Sequence, residues 1–252
     1  SETQFLDTEG LPAGVMGLQQ FQRFGHSVAL DGNTLAVGVP QDFGSIPEDA
    51  GRVLVYEQER GDYIYAQTLV DTLLAEFNEF GRTIELNGST LVVASRVNIL
   101  ASSVSGSSSV FVRGIEGWQH QQRLTAFDAI DGENFGAAMS LDGDTIIIGA
   151  PTGLTAEAGT AVSGTTYFYQ RIGNVWSSQQ KRSAPDATVG DLFGSSVSLY
   201  GDMAVIGVPA DDDNGFVNSG AAFSFRIIPA TERKLVAYDP TTFAQFGIQV
   251  AV

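Results

Sequence analysis

The sequence predicts an all-β fold, a β-propeller built from four-stranded antiparallel blades of about 55 residues. Three observations carry this. Phe-Gly recurs at Phe24, Phe80, Phe135, Phe193 and Phe246, at spacings of 56 (80−24), 55 (135−80), 58 (193−135) and 53 (246−193). Apolar runs between these pairs are short and are punctuated by glycine and proline, with strand rather than helix periodicity. A four-stranded sheet this small cannot bury both faces alone, and stacking successive sheets around an axis solves that problem. An open β-solenoid or a sandwich array is the runner-up architecture.

Four complete units lie at approximately 24–79, 80–134, 135–192 and 193–245, with partial units at 1–23 and 246–252. Each opens on a first strand, as in FGHSVALDGNTLAVGVP, FGRTIELNGSTLVVASR, FGAAMSLDGDTIIIGAP and FGSSVSLYGDMAVIGVP. Val28 and Leu30, like Val197 and Leu199, alternate with small or polar residues, so this strand should be half-buried. The second strand contains continuous apolar runs, Leu91–Ala94 and Ile146–Gly149, which suit a strand covered on both faces. AGRVLVYEQ, SSSVFVRG, SGTTYFYQR and SGAAFSFRI mark the third. The fourth is marked by GWQHQQRLTAFDA and VWSSQQKRSAPDA, and Asp128, Asp186 and Asp239 each stand seven residues before the next Phe-Gly. The expectation is an inner strand pair joined by a tight turn and an outer pair joined by a variable one.

Composition narrows the function classes. The 252 residues are 43% hydrophobic and 17% charged, as in an ordinary globular chain able to bury a core. Thirteen lysines and arginines stand against 29 aspartates and glutamates, a formal net charge of −16, which argues against nucleic acid and anionic membrane surfaces as partners. Cysteine is absent, so no disulfide framework or thiolate metal site is possible. No apolar run has the roughly 18–20 residues of a membrane helix, so direct membrane insertion is not expected. SETQFLDTEG at the N-terminus lacks a secretion signal's basic and apolar regions.

Phe-Gly followed by Ser-Val, then Gly-Ala-Pro or Gly-Val-Pro about 14 residues on, then Ser-Gly-Ala or Ala-Gly-Arg before an aromatic-rich strand, resembles the FG-GAP repeats of integrin α-subunit propellers and related extracellular proteins. Unit two departs most, with Ala94-Ser95-Arg96 in place of Gly-Ala-Pro. The resemblance implies an extracellular or cell-surface module, and a propeller that usually has seven units. This chain supplies four and two fragments, so part of a longer chain, a sheet shared by its ends, or closure by another subunit (a homo-oligomer) all follow as expectations.

The resemblance also raises calcium. Integrin-type units place an Asp-rich loop between the first two strands, because several oxygens must converge on the ion at about 2.3–2.6 Å. Here that connection has shrunk to Asp31-Gly32-Asn33, Asn87-Gly88-Ser89, Asp142-Gly143-Asp144 and Tyr200-Gly201-Asp202, too short to wrap a cation. Asp-Gly and Asn-Gly suit two-residue hairpins instead. The remaining metal candidates are Asp211 and Asp213 in Asp211-Asp212-Asp213-Asn214-Gly215, where a solvated acidic loop is the competing reading. Asp42, Glu48-Asp49 and Glu157 occupy equivalent loops. No cofactor is otherwise expected.

Other motifs are weaker. Arg60-Gly61-Asp62 spells an integrin-binding tripeptide, but a turn explains its glycine and aspartate. Asn87-Gly88-Ser89 is an N-glycosylation sequon. His26 and His120 belong to no recognisable catalytic constellation, and no nucleophile elbow, phosphate loop or paired-His motif is present. Trp118 and Trp176 stand at equivalent positions in consecutive units, which suits packing better than a sugar platform. These features favour a non-enzymatic interaction or structural module, adhesin-like or part of a surface assembly, with a protein or glycan partner at the cell surface or matrix. A propeller lectin is the alternative; an enzyme would need convergent titratable groups that the sequence does not display.

Overall fold

The computed structural model describes residues 23–40, 51–71, 78–95, 105–129, 132–152, 163–213, 215–227, 231–237, 242 and 244–251. Asp42, Glu48, Asp49, Glu157, Asn214 and Asp239 lie outside them. Sixteen strands, and no helix among the described residues, form four antiparallel sheets of the propeller-blade type. The first blade orders β1 (Val28–Asp31), β2 (Thr34–Val39), β3 (Arg52–Glu59) and β4 (Asp62–Leu69). The second has β5 (Ile84–Asn87), β6 (Thr90–Ser95), β7 (Ser107–Gly114) and β8 (Gly117–Leu124). The third comprises β9 (Ala138–Asp142), β10 (Thr145–Ala150), β11 (Thr165–Ile172) and β12 (Val175–Arg182), and the fourth β13 (Ser196–Tyr200), β14 (Met203–Val208), β15 (Ala221–Arg226) and β16 (Thr231–Val236).

The chain divides into two compact units, Ser1–Asn98 with Ser109–Gln121 and Ile99–Ser108 with Gln122–Val252, so the division passes through β7 and β8. In the first unit, Ala36, Val53, Val55, Phe80, Leu91, Val93, Phe111 and Trp118 form one cluster, and Val37, Val39, Leu54 and Tyr56 another. In the second, Ile147, Phe168, Phe193, Leu199, Ile206, Phe223 and Phe225 close the core between β9–β12 and β13–β16. Second strands are buried almost throughout, as their continuous apolar runs require, and third strands chiefly over their first halves.

Two expectations about turns are corrected. The inner turns are glycine-first: Asp31 pairs with Thr34, Asn87 with Thr90 and Asp142 with Thr145, leaving Gly32-Asn33, Gly88-Ser89 and Gly143-Asp144 as the central residues. Each of these glycines has φ between +55 and +57°, as at the first position of a type II′ turn. The acidic or amide residue thus ends the first strand and is not one of the two central turn residues. The outer turns are also tight in three blades, at 60–61, 115–116 and 173–174; the long connections are those between the second and third strands of a blade and those between blades.

A third correction concerns β1. Val28 and Leu30 are not half-buried but 63% and 60% exposed, whereas Ile84 and Leu199, at matching register, are 4% and 6% exposed against the first strand of the blade before. Residues 246–251 form no strand; Phe246 makes an isolated parallel bridge with Gly220.

Candidate functional site

The repeated motif residues are used in packing. Gly164 opens the third blade's third strand at φ +90°, and a Cβ there would lie 2.3 Å from the Phe193 carbonyl oxygen and 2.5 Å from the Phe193 nitrogen. Gly149, the glycine of Gly-Ala-Pro, lets the Gly194 carbonyl approach so closely that a Cβ would stand 2.0 Å from it. Phe193 is then wedged against Phe223 and Phe225, with ring centroids 5.8 and 6.2 Å away. Phe-Gly, Gly-Ala-Pro and the third-strand glycine are therefore parts of one close-packed joint between the third and fourth blades.

The carboxylates of the inner turns serve the same joint. Asp31 Oδ2 accepts the Gly88 amide at 2.5 Å in the first unit, and Asp142 Oδ2 accepts the Gly201 amide at 2.6 Å in the second. Ser140 Oγ accepts the Leu199 amide at 3.0 Å beside it. Asp144, the other acid of the triplet, faces its own blade and pairs with Arg171, at 2.7 Å to Nε. The Asp-Gly-Asp triplet is thus a staple between turns, and its acids diverge rather than converge on an ion. Asp142→Ala should cost about 0.5–1.5 kcal/mol in urea unfolding, with the same shift in EDTA and in calcium; a shift that vanishes in EDTA would restore the metal reading.

A second joint forms at the outer strands. Gln67 Nε2 donates to the Trp118 carbonyl at 2.8 Å while its Oε1 accepts the Trp118 amide at 2.9 Å. Gln122 and Trp176 repeat the pair at 2.7 and 2.8 Å. Each glutamine amide thus behaves as a peptide group inserted between neighbouring sheets. Both tryptophans are buried, so neither offers a face to a sugar.

Titratable groups gather at the opposite ends of the blades, in the long connections. In the third blade Lys181 Nζ lies 2.6 Å from Asp128 Oδ2 and 5.2 Å from the centre of the Tyr167 ring. The Tyr167 hydroxyl donates to Asp128 at 2.9 Å and to Glu133 at 3.2 Å. Burial opposes ionisation of Asp128, but the bonds from Lys181 and Tyr167 outweigh it and hold the carboxyl below its usual range. Burial, followed by the two carboxylates, pushes the Tyr167 and Tyr169 hydroxyls well above the ordinary phenol value.

The fourth blade elaborates the arrangement around the metal candidates. Asp211 is buried, its side chain 3% exposed, and Lys234 Nζ lies 2.8 Å from its Oδ2, 2.7 Å from Asp186 and 3.9 Å from Asp213. The Lys234 ammonium also stands 5.6 Å from the centre of the Phe223 ring. The structure therefore brings Asp211 and Asp213 together around a lysine, the position a bound cation would take. Burial, reinforced by Asp186 and Asp191, raises the Asp211 carboxyl despite the lysine; for Lys234, burial is outweighed by bonds to Asp186 and Asp211, which raise the amine. Among the described residues no group of three or more His, Asp or Glu side chains is arranged to hold a metal ion. Sequence reasoning missed Lys234, although Lys181 and Lys234 oppose Tyr167 and Phe223 at one register, and aligning the fourth strands would have paired them.

The remaining candidates are placed individually. Arg60 and Gly61 are the central residues of an exposed hairpin turn, both with positive φ, and Asp62 begins β4 opposite Glu59. Asn87 is half-buried at the end of β5, at the register where Asp31 and Asp142 make their staples. His26 is exposed in the Phe-Gly turn, and His120 lies edge-on to Phe111 at 5.4 Å. No helix long and apolar enough to cross a membrane occurs among the described residues.

The family model of the FG-GAP repeat matches residues 118–169 and 176–225. These two stretches are FG-GAP repeats. Each matched stretch runs from the outer strand of one blade to the third strand of the next, and so is centred on the inter-blade joint. No curated protein matches the chain.

Proposed function

We propose that the chain is a non-enzymatic extracellular interaction module, adhesin-like or part of a surface assembly, that engages partners through its long loops. The carrying observation is the division of labour within each blade. Motif residues and tight turns are consumed by packing, while the β8–β9, β12–β13 and β14–β15 connections expose Phe127 (64%), Val189, Phe216 and Val217 among Asp128, Asp186 and Asp212. Variable loops on a regular scaffold are where binding concentrates, and exposed apolar side chains are most informative when they recur in one set of loops. FG-GAP repeats are typical of extracellular or surface proteins, which supports the location. The acid-rich composition favours a partner with basic character and disfavours nucleic acid. No cofactor is invoked at the Asp211 loop, because Lys234 already neutralises its buried carboxylate. If the source glycosylates secreted proteins, Asn87 carries a glycan only with its side chain turned outward, a state that a peptide mass shift would report.

The second reading is a lectin, favoured by Phe127, an exposed ring 5.7 Å from Tyr167 and adjacent to Asp128, as sugar stacking would use. Replacing Phe127, Val189 and Phe216 together by serine leaves the core untouched and should weaken capture of matrix protein or glycan-array ligands at least about tenfold. Retention of binding by that variant, with loss on changing the tight turns, would reject the loop-end reading.

A further inference from the structure

Asp31-Gly32, Asn87-Gly88 and Asp142-Gly143 stand at one register, each ending a first strand and opening an inner turn. Only the second of them offers a side-chain amide in place of a carboxylate. Asparagine before glycine is reactive, because a following residue without Cβ leaves its backbone nitrogen open to the asparagine side chain. The Gly88 nitrogen attacks Cγ of Asn87, its proton passes to solvent base, and the departing Nδ2 group takes one up and leaves as ammonia. Water then opens the cyclic imide at either carbonyl, giving aspartate or, where the main chain runs on through the side-chain carbon, isoaspartate. A Cβ placed on Gly88 would meet nothing within 4 Å, and Gly88 and Ser89 are exposed, so space and water are both at hand.

In the folded chain the attacking nitrogen is occupied. Gly88 N–H donates to Asp31 Oδ2 at 2.5 Å, across the joint between β1 and β5. An N–H that already donates to a carboxylate gives up its proton less readily, since the amide anion would face a like charge. Turning the nitrogen toward Cγ also breaks the pairing of Asn87 with Thr90 that closes the hairpin. The turn is held from a third side by Arg113, whose amide donates to the Ser89 carbonyl at 2.9 Å and whose guanidinium reaches Thr34 Oγ1 at 3.2 Å and Glu57 at 3.1 Å. The matching staple of the second unit, Asp142 to the Gly201 amide, guards no such pair, because Tyr200 precedes that glycine.

We infer that Asn87 is a site of spontaneous deamidation that Asp31 holds shut, and that conversion there loosens the joint between the first and second blades. Isoaspartate adds a carbon to the main chain between residues 87 and 88, where the hairpin has room for two central residues only, so the Asn87–Thr90 pairing and the Gly88–Asp31 bond cannot both survive. Either product places a new carboxylate one residue from the amide that Asp31 accepts. Each opening of the turn gives the reaction one chance, and the released ammonia makes it irreversible, so the staple sets the pace at which the joint ages. This device is independent of the loops assigned to partners, and it competes with a glycan for the same Nδ2 atom.

The test uses the full chain, made in a host that adds no glycan, aged in mildly alkaline buffer and cut with trypsin. Peptide 83–96 carries Asn87; deamidation is read from the mass gained as the amide becomes an acid, and isoaspartate is resolved by fragmentation. The folded parent should convert at least about tenfold more slowly than the same peptide free in solution. Asp31→Ala, at an exposed position, should convert about fivefold or more faster than the parent. Ser27→Ala removes a different bond of the same joint, from Ser27 Oγ to the Gly81 carbonyl at 2.6 Å, and should stay near the parental rate. Equal acceleration by Ser27→Ala would mean general loosening, a parental rate in Asp31→Ala would mean that the carboxylate guards nothing, and a slower one would make it the base for the attack; each overturns the inference. In a Trp176→Phe background Trp118 reports the first unit, whose urea midpoint should fall on ageing but hold in an Asn87→Ser chain aged alongside. A midpoint that ageing leaves unchanged overturns the link between this turn and the joint.

Discussion

Gly164→Ala is expected to lower the stability of the second unit by about 3 kcal/mol or more. Two costs add: a left-handed backbone held at φ +90° by an L-residue, and a Cβ driven into backbone rather than into a movable side chain. The Phe193 atoms it would strike are the nitrogen and oxygen of the Phe-Gly joint, so relief requires the fourth blade to move away from the third. The tryptophans allow the loss to be located. Trp118 lies in the first unit and Trp176 in the second, so a Trp118→Phe background reports the second unit alone in urea unfolding. Gly143→Ala is the control: it has φ +55° but nothing within 4 Å of its added Cβ, and should cost only about 1 kcal/mol. Equal effects at the two positions would show that the close approach, and with it the packing role of the motif, is wrong.

Lys234→Met comes second, with an expected loss of about 2–4 kcal/mol at neutral pH. The substitution keeps the apolar stem over Phe223 and removes the charge that compensates buried Asp211 beside Asp186 and Asp191. The pH dependence follows from the direction of the Asp211 shift. Its carboxyl is raised in the folded protein, so the folded state holds a proton more tightly than the unfolded chain, and its contribution to stability falls as pH rises through the folded value. Without the lysine that folded value climbs further. The deficit of the variant should therefore shrink as pH is lowered from 7 toward the ordinary aspartate range, and Asp211→Asn should recover much of it at pH 7. A deficit independent of pH, or not relieved by Asp211→Asn, would mean that Lys234 acts by packing alone. The lysine's own raised value works in the other direction: the stability it provides is fully present below the ordinary amine value and is lost only as pH rises through the folded one.

Much of the fold was legible because a repeat shows the same pattern four times. The spacing of Phe24, Phe80, Phe135 and Phe193 locates every first strand, and the continuous run Ile146–Gly149 reads directly as a strand buried on both faces. The turns were misread by one residue, since Asp-Gly and Gly-Asp both satisfy a two-residue hairpin and only the pairing of Asp142 with Thr145 decides between them. That slip hid the staples, because an aspartate inside a turn bonds locally whereas one at the end of a strand can reach Gly201 in the next repeat. Val28 and Val197 have the same local pattern and opposite burial. Alternation says which face is apolar, but what covers that face is set by chain elsewhere. Lys234 was missed for a related reason: its three carboxylates come from two connections, Asp186 in one and Asp211 and Asp213 in the other, and a solitary lysine among aspartates reads as surface charge.

The glutamine pairs bear on how such a chain changes over generations. Gln67 meets Trp118, and Gln122 meets Trp176, through main-chain atoms of the partner, so the contact is indifferent to most side chains nearby and is the same at both joints. Unequal recombination that duplicates or removes one whole repeat leaves matched halves at the new junction, whereas a one-residue insertion in β8 or β12 throws the glutamine and the amide it serves out of register. Length in this lineage should accordingly vary in whole repeats and in the long connections, and hardly at all inside the strands.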